Sequence, residues 1–333
     1  MRPHAASRPR LTVATLADER FVLPLATFGR SLLDHLRTDA TVELLIIDGG
    51  ISARSRERLL ASWSDPRLTV RWRVLDPALL PSISPLGRIP ALTYARLLIP
   101  SLLADECESL VILDADQLIL TDLTRLLDEP LGDALLLAPR DPFIPFISSP
   151  NGLPLVLRGG RDPSDSYFTG ALMVLNLPVW RAERVSEQAL GVARSHQREL
   201  HTYDQDALNA VVGSRWRELD PRWQVQPRAL GLSPKVTPHL GDEQRKLCRE
   251  DPWVVHFSGR LKPWLYQGAG GFDALFWECL QRTEFRASPP RNLKALAYQL
   301  YDGPLRRWLY PWEVRVGQQL QRAGRLAQSL LTR

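Results

Sequence analysis

The chain predicts an α/β fold on a largely parallel sheet, and three observations carry that prediction. Apolar, strand-like runs alternate with segments of helical apolar spacing. Several runs, such as Leu110-Val111-Ile112-Leu113, are apolar without alternation, as strands buried on both faces are. Carboxylates stand just beyond the runs: Asp18, Asp48 and the pair Asp114 and Asp116. In such sheets ligands bind beyond the carboxyl ends of the strands.

Taken in order, residues 11–16 read as a first strand, with Asp18 and Glu19 just after it. Residues 21–36 have helix-like apolar spacing, and residues 42–47 form a second strand closed by Asp48-Gly49-Gly50. A short helix over 52–61 and a third strand over 68–74 follow. Residues 91–103 are helical by pattern, apart from Pro100 near the end. Next comes the strand that carries Asp114-Ala115-Asp116. Side chains alternate along a strand, so the two carboxylates are expected on one side, a few ångströms apart. They repel each other unless a cation sits between them. The alternative is that a strand-end Asp simply caps a turn or helix.

Beyond that pair, 134–138 reads as a short strand, and 140–165 as a long irregular segment rich in Pro, Gly and Ser. Such a segment is either a binding loop or a tolerated insertion. Residues 167–177 are strand-like, and Pro178 suits the start of a helix running to Arg194. Residues 204–212 suggest another helix, and 253–257 a late strand ending in His256.

Bulk composition narrows the class. The chain has 333 residues, enough for one large α/β domain or two small ones. No apolar run is long enough to span a bilayer, and the N-terminus lacks the apolar core of a signal peptide. Cys107, Cys248 and Cys279 are widely spaced and unpaired in pattern, which predicts reduced thiols and a cytoplasmic protein. The charge of +5 is uneven. Residues 290–333 hold eight Lys and Arg against Asp302 and Glu313, so the remainder is close to neutral. Nucleic acid is not expected as a partner of a neutral body.

His256 is followed by Gly259 and Lys262. A strand-end His is commonly a hydrogen-bonded structural residue, yet imidazole is also the natural third partner of two carboxylates around manganese. Gly259 permits close backbone approach to a ligand, and Lys262 is a compact charge suited to phosphate. Asp204-Gln205-Asp206 is dense in polar groups at a helix start; Asp204 serves as an N-cap, but Gln205 is not explained that way.

Together these motifs resemble the retaining glycosyltransferases of family 8, which have a GT-A-type fold. The pieces are Asp114-x-Asp116; Tyr167-Phe168-x-x-x-Leu172-Met173-Val174-Leu175-Asn176-Leu177-x-x-Trp180-Arg181; Asp204-Gln205-Asp206-x-Leu208-Asn209; and His256-Phe257-x-Gly259-x-x-Lys262-Pro263-Trp264. Tyr94-Ala95-Arg96 fits the helix that precedes the Asp pair. Four pieces in order are far more specific than any one. The resemblance implies a Rossmann-like mixed sheet over residues 10–285, with 290–333 as a separate basic aromatic tail. It also implies a UDP-sugar donor and a divalent cation, manganese or else magnesium, held by Asp114, Asp116 and His256. Ala14, Thr15 and Asp18 would contact uracil and ribose. Arg96, Ala115 and Thr169 would contact the donor, Asp204 its sugar hydroxyls, and Gly259 and Lys262 the diphosphate. Gln205 would lie at the anomeric carbon, and Asp141 is the candidate for the acceptor. The expected reaction is transfer of a hexose to a glycan or lipid-linked acceptor in surface polysaccharide synthesis.

Two departures stand out. The family's Asn-Ala-Gly is replaced by Thr169-Gly170-Ala171, and Ala17-Asp18-Glu19-Arg20 lacks an aromatic residue. The first leaves open a UDP-sugar-binding relative without turnover. A phosphatase of the haloacid dehalogenase type also uses Asp-x-Asp after an apolar strand. It wants Thr or Val where Leu118 stands, and a Gly-Asp-x-x-x-Asp that Gly241-Asp242 does not complete. In the tail, Trp312, Val316, Leu320, Ala323, Ala327 and Leu330 recur at helical spacing with Arg315, Arg322 and Arg325 between them. That pattern suits an anionic membrane surface, or else a helix packed on the domain.

Overall fold

The computed structural model describes residues 9–74, 91–103, 107–231, 237–259, 262–265 and 271–290. The expected tail therefore lies outside the described residues, apart from Pro290.

Nine strands are described: β1 Arg10–Ala17, β2 Thr41–Asp48, β3 Leu68–Val74, β4 Ser109–Leu113, β5 Gln117–Ile119, β6 Leu136–Ala138, β7 Leu172–Asn176, β8 Trp216–Glu218 and β9 Val254–His256. Ten α-helical segments accompany them: α1 Val22–His35, α2 Ala53–Ser62, α3 Ile99–Leu102, α4 Pro154–Arg158, α5 Leu177–Ala182, α6 Val185–Ser195, α7 Asp204–Val212, α8 Pro227–Gly231, α9 Asp242–Glu250 and α10 Asp273–Gln281. Seven strands form one sheet in the order β3-β2-β1-β4-β7-β6-β8. β3, β2, β1 and β4 are mutually parallel, β7 runs antiparallel between β4 and β6, and β8 is parallel to β6. This is the mixed α/β sheet expected from the sequence. The chain leaves β1 in one direction toward β2 and reaches β4 on the other side, so the crevice beyond β1 and β4 is the switch point where such sheets bind ligands.

The unbroken apolar runs are explained by burial on both faces. Along β2, Val42, Leu44 and Ile46 face one core, while Leu45 and Ile47 face the other. β4 divides likewise, Val111 and Leu113 on one side and Leu110 and Ile112 on the other. The first core takes up Leu25, Phe28 and Leu32 of α1 and Phe276 of α10; the second takes up Ala189 of α6 and Leu208 of α7.

Three expectations change. The helix predicted over 91–103 is a 3-10 segment, Ala91–Leu98, continued by the four residues of α3, where Pro100 occupies the first turn. The helix from Pro178 to Arg194 is two helices, α5 and α6, parted by Arg184 in the left-handed region at φ 52°. The strand predicted over 167–177 narrows to β7, because Tyr167 to Gly170 bond instead to the loop ahead of it and to α7.

Candidate functional site

β4 ends at Leu113, so Asp114-Ala115-Asp116 is not the strand end expected but a tight turn, closed by the Gln117 amide on the Asp114 carbonyl at 3.2 Å. The chain then re-enters a short antiparallel ribbon in which β5 pairs with β9, with Gln117 opposite His256. The Phe257 amide bonds the Asp116 carbonyl at 3.1 Å. The turn, rather than alternation along a strand, makes the carboxylates converge, and the ribbon brings in a residue 140 positions downstream of Asp116. One ligand atom each from Asp114, Asp116 and His256 lie within 4.8 Å of one another. His256 Nε2 is 3.2 Å from Asp116 Oδ1 and 3.7 Å from Asp114 Oδ2. Two carboxylates and an imidazole suit a divalent first-row ion, so the donor set fits the expected cation.

Fixed cations sit against this cluster. Lys262 Nζ pairs with Asp116 Oδ2 and donates to the Phe257 carbonyl at 2.5 Å. Arg96 pairs with Asp114 and, at 2.8 Å, with Asp204 Oδ2. Burial pushes the Asp116 carboxyl up, but Lys262 and His256 outweigh it and hold it below the usual range. Burial raises Asp114, against the opposing charge of Arg96. Asp204 is raised by burial to about 6, again against Arg96. Asp204 is the first residue of α7 rather than its cap, and its Oδ2 is paired with Arg96.

The cluster floors a cavity of about 640 Å³, whose walls include Leu16, Ala17, Asp18, Phe21, Tyr203 and Lys262. The sequence placed Ala14 and Thr15 here. The structure places both inside β1 with no exposed surface, because the strand runs on to Ala17. Leu16 and Ala17 take their place on the wall. Asp18 is at the mouth, where it caps the 3-10 turn Glu19–Phe21 and holds the Arg20 side chain. Ala115 lines the same cavity.

A second recess of about 300 Å³ adjoins the first across Arg96, Asp114 and His256. Asp141, Thr169 and Gln205 line it. Here the polar groups are locked. Gln205 Oε1 accepts the Gly170 amide at 2.8 Å, and Gln205 Nε2 donates to Asp141 Oδ2 at 2.9 Å. Asp141 Oδ1 accepts the Phe143 and Ile144 amides, and burial raises the Asp141 carboxyl. Asp206 and Asn209 hold α7 in place and do not reach the recess. Asp206 accepts the Tyr167 hydroxyl at 2.6 Å and the Thr202 amide at 2.8 Å. Asn209 bonds both backbone groups of Phe168 at 3.0 Å. Tyr203 precedes the helix at φ 57°, a strained conformation at the cavity wall.

Other residues here escaped the sequence reading. Gln224 lies against His256 Nδ1 at 2.7 Å, and Gln117 bonds Gln224 at 2.9 Å. Arg228 lines the recess and would meet a Cβ on Gly259, whose φ of +77° itself favours glycine. A Gln inside the apolar run from Leu110 to Leu120 was a visible signal. Gln224 and Arg228 had none.

Known proteins resemble this chain in sequence and fold. General stress protein A of Bacillus subtilis is 27% identical over 255 residues, 76% of this chain and 86% of that protein. The lipopolysaccharide 1,2-glucosyltransferase of Escherichia coli is 24% identical over 213 residues, 61% of this chain and 58% of that enzyme. Among solved structures, the galactosyltransferase LgtC in complex with donor and acceptor sugar analogs superposes with a TM-score of 0.67 at 22% identity, covering 84% of this chain and 98% of LgtC. The bifunctional glycosyltransferase WbbM gives 0.70 at 22% identity, with 89% of this chain matched to 53% of that one. At that identity the structures establish the shared GT-A fold. The family model described as "Glycosyl transferase family 8" matches residues 12–268, and the chain belongs to that family.

Proposed function

We propose that this protein is a metal-dependent retaining glycosyltransferase that moves a hexose from a UDP-sugar to a glycan or lipid-linked acceptor. The observation that carries the reading is the convergence of Asp114, Asp116 and His256 at the floor of a cavity of nucleotide-sugar size, with Lys262 beside them. A divalent ion held there, manganese or magnesium, would supply Lewis-acid stabilisation of the departing diphosphate. Lys262 adds a fixed positive charge to the same group. Leu16, Ala17 and Asp18 bound the end of the cavity that suits the nucleoside. Asp204, held by Arg96, orients sugar hydroxyls toward the second recess. That recess, with Asp141, takes the acceptor.

For the chemistry we favour front-face displacement. The bond from the anomeric carbon to the β-phosphate oxygen breaks and its electron pair leaves with the phosphate. The acceptor oxygen bonds the same face, and its proton passes to the departing phosphate oxygen. Gln205 is a poor nucleophile, and both ends of its amide are already engaged. Asp206 is consumed by Tyr167 and Thr202. A double displacement of the kind hydrolases run needs a free carboxylate at that point. Trapping a glycosyl group on Asp204 or Asp206 would overturn this course. A panel of UDP-sugars with manganese, scored for donor hydrolysis and thermal shift, tests the function; hydrolysis of one or more is the expected outcome.

One observation favours a second reading, a UDP-sugar-binding relative without turnover. Thr169 Oγ1 accepts the Ala171 amide at 3.2 Å and has no amide pair to offer a sugar. Stabilisation by UDP with manganese, but no hydrolysis or transfer from any donor, would favour it. Membership of family 8 sets the phosphatase reading aside.

Among the described residues no helix is long and apolar enough to cross a membrane. The charge and aromatic content of residues 290–333 support peripheral contact with an anionic membrane surface, which suits a lipid-linked acceptor. Deleting that segment is expected to weaken binding to anionic vesicles while leaving donor hydrolysis intact. Equal vesicle binding by the truncated chain would contradict this.

A further inference from the structure

Hydrogen bonds behind His256 have a direction, and a backbone carbonyl sets it. The Ala171 carbonyl oxygen only accepts, so the Gln117 side-chain atom 3.0 Å from it is the amide nitrogen. That nitrogen is also 2.9 Å from a terminal atom of Gln224, which is therefore the Gln224 oxygen. The remaining Gln224 atom, its NH2, then faces His256 Nδ1 at 2.7 Å. An NH2 group only donates, so Nδ1 is the unprotonated nitrogen and the ring hydrogen is on Nε2. From there it points at Asp116 Oδ1, 3.2 Å away. Gln117 is 1% exposed and Gln224 4%, so water does not compensate a reversed amide. Reversing the chain would set two carbonyl oxygens 3.0 Å apart at Ala171. Gln117 Oε1 is itself buried without a partner, so the backbone carbonyl alone fixes the Gln117 amide.

We propose that Gln117 and Gln224 are positioning residues that keep the His256 proton on Nε2 in the unliganded chain. Loading a divalent ion on Asp114, Asp116 and His256 then requires both amides to turn and the ring proton to move to Nδ1. No net proton is gained or lost: the Nε2 lone pair is exposed as Nδ1 takes up the hydrogen, which Gln224 Oε1 then accepts. Outer hydrogen bonds of this kind fix the tautomer and basicity of a ligating imidazole. Here they oppose the liganding form, and so hold back ion binding before the donor arrives. The proposal rests on the metal reading above.

Two variants isolate the relay. Gln224→Glu replaces the NH2 with a second acceptor, which still receives the Gln117 amide and now receives a hydrogen from Nδ1. Gln117→Leu removes the group that orients Gln224 and adds no charge. Nitrogen-15 spectra of histidine-labelled protein without metal, with His256 assigned by comparison with His256→Asn, read the tautomer directly. Wild type is expected to show the proton on Nε2, Gln224→Glu on Nδ1, and Gln117→Leu a shift toward Nδ1. Manganese alone, followed by electron paramagnetic resonance of the free ion, is expected to bind about tenfold more tightly in both variants. A wild-type ring protonated on Nδ1, variants with an unchanged tautomer, or a shifted tautomer with unchanged manganese affinity would each overturn the proposal. Absence of manganese binding in every form would overturn the metal assignment beneath it, and is told apart because the ring spectra need no metal.

Discussion

The two ends of the site are built on opposite plans. At the cation end, charged side chains neutralise one another: Arg96 on Asp114, Lys262 on Asp116, with His256 between the carboxylates. In the second recess the central residue is a neutral amide, Gln205, gripped by the Gly170 amide and Asp141. The helix beneath it is pinned by Asp206 and Asn209. Under the proposed function, the pairs of opposite charge at the first end would exchange partners when a metal and a diphosphate enter. Hydrogen bonds at the second end are complete beforehand and need no rearrangement. On that reading one end would bind by exchange, and the other would hold a reacting centre in a preset geometry.

Breaking the cation end is expected to have the largest effect. Asp116→Ala should lower UDP-sugar turnover by roughly 100- to 1000-fold and remove most dependence on divalent ion; steady-state hydrolysis against manganese concentration checks it. Gln205→Ala should lower kcat on the order of 100-fold while thermal stabilisation by UDP with manganese stays as in wild type. A lost UDP shift would mean the two ends are not separate. Asp141→Asn sets an NH2 against the Gln205 NH2, and should reduce kcat about tenfold without altering UDP binding. An unchanged kcat would show that the grip on Gln205 is not needed.

The smallest effect concerns Asp204, raised by burial to about 6. Its folded-state pKa lies above the usual carboxylate value, so the folded chain binds that proton more tightly than the unfolded one. The stabilisation is present at low pH and fades as pH rises from about 4 to about 6. Melting temperatures across that window should fall more steeply for wild type than for Asp204→Asn. Parallel curves would contradict the assignment.

Much of this arrangement was legible in the residues. Unbroken apolar runs marked the doubly covered strands, and the Asp114-Ala115-Asp116 and His256 motifs marked the cation end. What was not legible depended on pairings made at long range. Ala14 and Thr15 look like the end of a strand until β2 pairs along the whole of β1 as far as Ala17 opposite Asp48. The turn at Asp114 follows from β5 pairing with β9, which no local pattern announces. Gln224 acquires a role only because the chain returns beside His256, and Arg184 breaks a helix that its neighbours favour. Local propensity located the elements; contacts across the sheet decided where they stop and which side chains meet.

The central claim is that the donor is handled at the exchanging end through a bound cation. Hydrolysis of the best UDP-sugar, measured with manganese and again with a chelator, tests it most directly. Turnover with the ion and loss of nearly all of it on chelation are the expected result. Equal turnover in both conditions would contradict it.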